Sequence, residues 1–126
     1  MTGVQTCALP ISLYEAGQKA EFIEVDPKTK TVVKDKSDFY AINPLGLVPV
    51  VRTDDGVILT ENAAILQHVA EKLAGSGLGA REGIERSKLQ QWLCFIGTEL
   101  HKALFTPLLG KTVPAEVKSY TLERYL

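Results

Sequence analysis

Residues 43–65 constrain the fold of this chain more than any other stretch. Val50 and Val51 precede Asp54-Asp55-Gly56, and Val57 and Ile58 follow it, so two β-branched runs flank a turn in which glycine can adopt a positive φ. The second run leads through Thr60-Glu61-Asn62 into an apolar helical pattern. The order predicts a loop, a β-hairpin and a helix. A helix N-terminus favours an anion, because its N–H groups are free and its dipole is positive.

Two motifs in this stretch carry a family resemblance. Asn-Pro-x-Gly-x-Val-Pro at 43–49 and Leu-Thr-Glu-Asn-Ala-Ala-Ile at 59–65 resemble the glutathione-binding half of a cytosolic glutathione S-transferase. A third motif, Trp-Leu-Cys-Phe-Ile-Gly-Thr-Glu-Leu-His-Lys at 92–102, makes the bacterial beta class the best match. The resemblance implies an α/β thioredoxin-like N-terminal domain, followed by the start of an all-α C-terminal domain.

The N-terminus departs from this pattern. Residues 1–11 resemble a translated sequencing adapter and are predicted to be artefactual; a divergent natural N-terminus is the alternative. In the family this segment holds the first strand, expected between two parallel neighbours, so that strand is predicted to be missing or replaced. Residues 2–7 could form only a poor substitute strand, because Val4 is their one bulky β-branched apolar residue and Gly3 weakens them.

The remaining domain boundaries follow from composition and the resemblance. Residues 12–74 are predicted to form the thioredoxin-like domain, and 81–126 a truncated all-helical domain. Gly75, Gly77 and Gly79 alternate in 75–80, which is the predicted linker. The family has more of the helical domain than this chain contains, so the chain is interpreted as a fragment.

Local signals predict the individual elements. We expect a helix end at 13–16 capped by Gly17, a strand at 21–25, a polar basic loop at 28–36, a short helix at 37–42 capped by Ser37, an amphipathic helix at 63–73 built on Ile65, Val69 and Leu73, a long helix at 81–105 stopped by Pro107, and a last helix capped by Thr112.

The resemblance assigns the glutathione-binding residues. Pro49 matches the family's cis-proline, which would turn the Val48 N–H and C=O toward the peptide backbone of glutathione; the alternative is a simple edge-strand proline. Asn62 and the helix N-terminus would hold the γ-glutamyl carboxylate, and Glu61 would face its α-amino group. The alternative for both residues is helix capping, for which asparagine has a suitable side chain. Lys30, in a loop that holds an insertion, is the candidate for the glycyl carboxylate.

Three further side chains have chemistry that could serve a site: His101, Cys94 and His68. His101 matches a beta-class histidine that lines the active site. The alternative, which is weighed equally, is a helix residue without a functional role. Cys94 stands where the class has an asparagine that contacts glutathione in the partner subunit, and it is interpreted as a small buried hydrophobe. His68 is interpreted as a solvated residue without a role.

Thiol activation is the least defined step. Beta-class enzymes use a cysteine in the first-strand loop to support the glutathione thiolate. Cys7 is the only candidate, but it falls about three positions too late and lies in the suspected adapter segment, so no catalytic role is assigned to it. Glutathione-dependent disulfide reduction would need a genuine Cys7, and no Cys-x-x-Cys pair exists.

Composition excludes several functional classes. The net charge of -1 gives no electrostatic footprint for nucleic acid or an anionic membrane. No apolar run approaches the roughly 20 residues of a membrane span, and no signal peptide, metal-ligand spacing or P-loop is present. Two cysteines are typical of a cytoplasmic protein.

The leading hypothesis is a fragment of a homodimeric glutathione S-transferase that conjugates glutathione, its co-substrate, to small electrophiles in the full-length parent. The alternative is a non-catalytic interaction module of the same fold. The sequence does not identify the electrophile, because most of the helices that shape its pocket are missing.

Overall fold

A computed structural model describes residues 2–4, 8–73 and 75–125 of the 126-residue chain. The chain divides into two compact units, one ending at Gly79 and the other beginning at Ala80. The division falls within the predicted linker, residues 75–80.

The first unit is built on a four-stranded sheet. Its strands are β1 (Thr2–Val4), β2 (Glu21–Ile23), β3 (Val50–Arg52) and β4 (Ile58–Thr60). The order across the sheet is β2-β1-β3-β4. β1 runs parallel to β2 and antiparallel to β3, and β3 runs antiparallel to β4. The expectation that both neighbours of the first strand are parallel is therefore wrong, because the connection through residues 24–49 brings β3 into the sheet antiparallel to β1.

Thr2–Val4 occupies the central position that the sequence left in question. It pairs with β2 on one side and with β3 on the other, over three residues in each case. Both neighbouring strands therefore have a hydrogen-bonding partner at the position where a missing strand would leave buried polar groups unpaired. The adapter origin of residues 1–11 stays a prediction.

Helices and turns complete the unit. α1 (Ala8–Glu15) ends before Gly17, whose φ of +65° matches the predicted left-handed cap. A 3₁₀ turn, Phe39–Ala41, replaces the predicted helix at 37–42. Its cap is Asp38, which accepts a hydrogen bond from the Tyr40 N–H, so the Ser37 cap was wrong. Asp38 caps the turn in place of Ser37 because its carboxylate lies one residue closer to the free N–H groups.

Two apolar clusters cover the two faces of β3. Val51 packs in a buried cluster with residues of α1 and of α2 (Asn62–Lys72), and Val50 packs with Phe39 on the opposite face. Successive strand residues point to opposite faces, so one β-branched pair serves both clusters. The first cluster consists of Leu9, Leu13, Val51, Ile65 and Val69. The predicted amphipathic helix is confirmed, since Ile65 and Val69 are fully buried.

The second unit is helical. It contains α3 (Gly83–Phe95), a π-helical segment (Ile96–Phe105), α4 (Thr106–Leu109) and α5 (Ala115–Tyr125). The prediction that Pro107 stops the long helix is wrong, because the helical chain continues through α4 to Leu109. The Thr106 N–H bonds five residues back to the His101 carbonyl, and this wider turn before Pro107 accommodates the proline ring.

The small sheet with its packed helices, followed by a helical unit, confirms the predicted fold class. None of the helices in the described part of the chain has the length and apolar character needed to cross a membrane.

Candidate functional site

The β3–β4 hairpin brings the two conspicuous sequence motifs to one end of the sheet. Val50 pairs with Thr60 across the two antiparallel strands. Residues directly opposite in such a pair have Cα atoms about 4.5–5.5 Å apart. Val48-Pro49, just before β3, and Glu61-Asn62, just after β4, therefore lie side by side at this end. We name the four residues the strand-end site.

The Val48–Pro49 peptide bond is cis, as predicted. Pro49 is buried, whereas Val48 is 41% exposed. The alternative of a simple edge-strand proline is wrong, because β3 lies between β1 and β4 inside the sheet. The exposed residue of the pair is thus the one predicted to contact a ligand through its backbone.

Glu61 links β4 to α2 in an uncommon backbone conformation. Its φ is +66°, a left-handed value that few non-glycine residues adopt. Its carbonyl accepts the Ile65 N–H and so begins α2, while its exposed side chain makes no capping hydrogen bond. The Glu61 carboxylate is therefore not used in capping the helix, contrary to the alternative interpretation.

Asn62 is the first residue of α2 rather than its cap. The predicted capping role for Asn62 is wrong, because Glu61 already occupies the cap position through its backbone. No acidic side chain stands in the first turn of α2. The positive end of the helix dipole is consequently not neutralised from within the turn and favours an anion at the strand-end site.

Lys30 reaches toward the same end of the unit from the preceding loop. Its Nζ donates a 2.9 Å hydrogen bond to the carbonyl oxygen of Gly46. The side chain is partly buried, and the backbone φ is +56°. Gly46 lies two residues before Val48, so Lys30 and Val48 are joined through one short loop.

Asn43 organises that loop, and sequence reasoning missed this role. Its side chain is only 5% exposed. Nδ2 donates to the Leu47 carbonyl at 2.7 Å, and Oδ1 accepts the Leu45 N–H at 3.2 Å. The signal was present in the Asn-Pro-x-Gly motif, since asparagine side chains hydrogen-bond the backbone two residues on in such turns.

The two residues singled out on the long helix belong to the second unit. His101 is exposed and lines a largely apolar cleft with Phe105, Thr106, Leu109 and Gly110. Cys94 is a free, exposed thiol in α3. Its interpretation as a buried hydrophobe is wrong, because no residue of α3 is fully buried.

His68 differs from its prediction as a solvated residue. It is partly buried, and its Nε2 atom is buried without a hydrogen-bond partner among the described residues. Position 68 follows the core residue Ile65 by three, which turns the side chain toward the packed edge of α2. The histidine lines a cleft with Thr53, Asp55 and other residues at the far end of the hairpin.

In this cleft the Thr53 hydroxyl beside Asp55 lowers the pKa of that carboxyl, and the electrostatic effects of Lys72 and His68 act in the same direction. Cys7, to which no catalytic role was assigned, lies outside the described residues. Within residues 2–4, 8–73 and 75–125 no group of three histidine, cysteine or acidic side chains could hold a metal ion.

Comparisons with known proteins agree with this geometry. A family described as the glutathione S-transferase N-terminal domain matches residues 2–71. Glutathione S-transferase GstA of Escherichia coli O157:H7 is 39% identical over 117 residues, covering 92% of this chain and 57% of its own length.

Two solved structures are similar along nearly the whole chain. A sphingomonad glutathione S-transferase complexed with glutathione is 36% identical with a TM-score of 0.88, covering 98% of this chain and 63% of the other. A bacterial beta-class glutathione S-transferase from Sphingomonas chungbukensis is 34% identical with a TM-score of 0.86, covering 99% and 66%. The chain therefore spans less than two thirds of the length of these relatives.

Proposed function

This chain belongs to the glutathione S-transferase family, and on that premise we propose that it binds glutathione at the strand-end site. We further propose that the activity it serves is conjugation of the glutathione thiol to an electrophile. The observation that carries the proposal is the adjacency of the exposed Val48 and the exposed Glu61 beside the N-terminus of α2. The sphingomonad relative, solved with glutathione, supports the choice of ligand.

Each group of glutathione would have a chemically matched partner. The γ-glutamyl carboxylate is an anion suited to Asn62 and the N-terminal N–H groups of α2. The α-amino group is a cation suited to the Glu61 carboxylate. The backbone of the central cysteine can pair with the N–H and C=O of Val48. Lys30 carries the positive charge that a glycyl carboxylate would require.

These contacts would fix the thiol without themselves ionising it. Conjugation needs the thiolate, since the thiolate is the nucleophile. Val48, Glu61 and Asn62 would hold the sulfur in one position, which converts a bimolecular encounter with the electrophile into a positioned one. The group that lowers the thiol pKa is assigned by the resemblance to the first-strand loop.

Further properties are proposed from the family. The electrophile is a small molecule, and His101 is the pocket residue that the resemblance names. The functional assembly is a homodimer in the cytoplasm with a role in detoxification. The absence of a strongly charged composition supports small molecules rather than nucleic acid as partners.

Calorimetric titration of glutathione into the intact chain tests the binding proposal. Glu61→Gln removes one charge while it keeps the size of the side chain. We expect its affinity for glutathione to fall by about tenfold or more, since hydrogen bonds to charged groups contribute about 1.5–3 kcal/mol. Glu71→Gln, an exposed position on the same helix, is the matched control and should bind as the parent does.

A circular dichroism melt on the same samples separates the outcomes. Saturable binding that Glu61→Gln weakens supports the strand-end site. A cooperative melt without binding would contradict it and favour a non-catalytic module. Conjugation is then measured with a chromogenic halonitrobenzene, and binding without turnover would limit the proposal to glutathione recognition.

A further inference from the structure

We propose that Lys30 is a positioning residue that holds the Val48 backbone in place for glutathione, acting through the Gly46 carbonyl. The inference rests on the proposed function and deepens it. The resemblance assigns Lys30 a direct ionic contact with the glycyl carboxylate only. The structure assigns its ammonium group a second task inside the protein.

Two consecutive carbonyls immediately before Val48 are each held by a side-chain donor. Lys30 Nζ donates to the Gly46 carbonyl at 2.9 Å, and Asn43 Nδ2 donates to the Leu47 carbonyl at 2.7 Å. The Asn43 bond spans four residues and is local to the turn. The Lys30 bond spans sixteen residues and ties this turn to a different loop. Two donors from different parts of the chain therefore hold the segment that leads into Val48.

The backbone of Lys30 is itself fixed, so its side chain acts from a rigid base. Its N–H donates to the Asp26 carbonyl, and its C=O accepts the N–H of Phe39, with both distances 2.9 Å. Phe39 is fully buried in the core. The left-handed φ of +56° is costly for lysine, and such conformations persist where the surrounding contacts impose them.

Gly46, whose carbonyl accepts this hydrogen bond, is equally constrained. Gly46 is buried with a φ of +61°, and a Cβ there would lie 2.6 Å from Cε1 of Tyr40. The Gly46 N–H bonds back to the Asn43 carbonyl at 2.8 Å. The glycine thus permits a close approach that leaves its carbonyl aimed at Lys30. An ammonium group has three donors, so the contact with Gly46 leaves capacity for a ligand carboxylate.

Truncated glutathione separates the two tasks of Lys30. γ-Glutamylcysteine lacks the glycine and its carboxylate but keeps the cysteine that would pair with Val48. Lys30→Met keeps the length of the side chain and removes its donors. If Lys30 positions the loop, this variant binds both glutathione and γ-glutamylcysteine about tenfold more weakly than the parent. If Lys30 contacts only the glycyl carboxylate, γ-glutamylcysteine binds the variant and the parent equally, and the proposal is overturned.

Amide hydrogen exchange of the ligand-free chain gives a readout independent of binding. The Leu45 and Gly46 N–H groups bond within the turn and report its order. We expect Lys30→Met to accelerate their exchange, whereas Lys34→Met, an exposed lysine of the same loop, leaves it unchanged. Unchanged exchange in Lys30→Met would contradict the positioning role.

Gly46→Ala perturbs the loop and leaves the charge of Lys30 intact. The clash with Tyr40 should weaken both ligands by a similar factor. Unaltered binding in this variant would show that loop position does not control affinity and would overturn the proposal. If the parent chain binds neither ligand, it is the proposed function that fails, whereas the exchange measurement still decides whether Lys30 orders the loop.

Discussion

The two units of this chain differ sharply in where their apolar side chains lie. In the described part of the chain every buried apolar residue belongs to the first unit, with Phe39, Val51 and Ile65 fully inaccessible. Among the described residues of the second unit, the one that is buried is Thr121, which is polar. Both units expose large apolar side chains, but only the first also has a buried apolar cluster among its described residues. The exposed set in the second unit is Ile84, Trp92, Phe95, Ile96, Phe105, Leu109, Val117, Tyr120 and Leu122.

This contrast shows that similar periodic patterns of apolar residues can contribute differently to the free energy of unfolding. The helices of both units carry apolar residues at helical spacing, but among the described residues only α1 and α2 of the first unit pack theirs against a sheet. Burial removes apolar area from water and supplies about 25 cal/mol per Å². The free energy of unfolding should therefore depend on the first unit, in which the strand-end site also lies.

The sharpest test of the contrast is one substitution made in both units. Ile65→Ala removes a side chain of 0% exposure, whereas Ile96→Ala removes one of 48% exposure. We expect Ile65→Ala to lower the free energy of unfolding by about 2–5 kcal/mol. Ile96→Ala should change it by about 0.5 kcal/mol or less. Urea unfolding followed by circular dichroism measures both, and equal losses would refute the assignment of stability to the first unit.

The same contrast explains how far the sequence predicts the fold. The hairpin at 50–60 and helix α2 are predictable because Val51, Ile65 and Val69 follow the periods of the structures they form. The end of the long helix is not, because Pro107 normally stops a helix and only the π-helical turn before it allows continuation. The burial of Cys94 was also mispredicted, since helical spacing does not reveal whether a face has a partner.

Some features of the site can be predicted from sequence motifs, whereas others depend on tertiary contacts. Val48, Pro49, Glu61 and Asn62 are named by sequence motifs, and hairpin pairing alone suffices to bring them together. The bond from Lys30 to Gly46 joins residues sixteen apart across an irregular loop, and no periodic signal encodes it. Contacts of this kind depend on tertiary structure.

A second prediction concerns the loop that supports the site. Asn43→Ala removes a buried side chain that bonds the Leu47 carbonyl and the Leu45 N–H. We expect a loss of about 1–3 kcal/mol in the free energy of unfolding, because the loop groups lose their partners. Asn43→Asp keeps the acceptor for Leu45 and lacks the donor for Leu47, so it should also destabilise the chain. A neutral Asn43→Ala in urea unfolding would exclude the loop from the cooperative unit.

A third prediction separates stability from binding at Glu61. Glycine tolerates the φ of +66°, so Glu61→Gly should change the free energy of unfolding by about 0 to +1 kcal/mol, relief of strain being offset by a more flexible unfolded chain. Glu71→Gly, inside α2, should instead destabilise by about 1 kcal/mol. Saturating glutathione should raise the melting temperature of the parent and raise that of Glu61→Gly by a smaller amount, because stabilisation by a ligand depends on its affinity. An equal rise in both would contradict the role of the carboxylate.

The smallest effect we predict is a dependence of stability on pH at Asp26, before the Lys30 loop. Its carboxylate accepts the N–H groups of Lys28 at 2.7 Å and Thr29 at 3.1 Å, which lowers its pKa below the ordinary 3.8. Because the folded-state pKa is the lower one, the stabilisation is complete above the unfolded-chain pKa and is lost as pH falls through the folded-state pKa. Asp26→Ala should therefore melt below the parent at pH 7, with the gap closing in acid. Asp26→Asn keeps an acceptor that does not titrate, so the difference in melting temperature between Asp26→Asn and Asp26→Ala should not change with pH. If the difference between the parent and Asp26→Ala is equally independent of pH, the carboxylate is excluded as the cause.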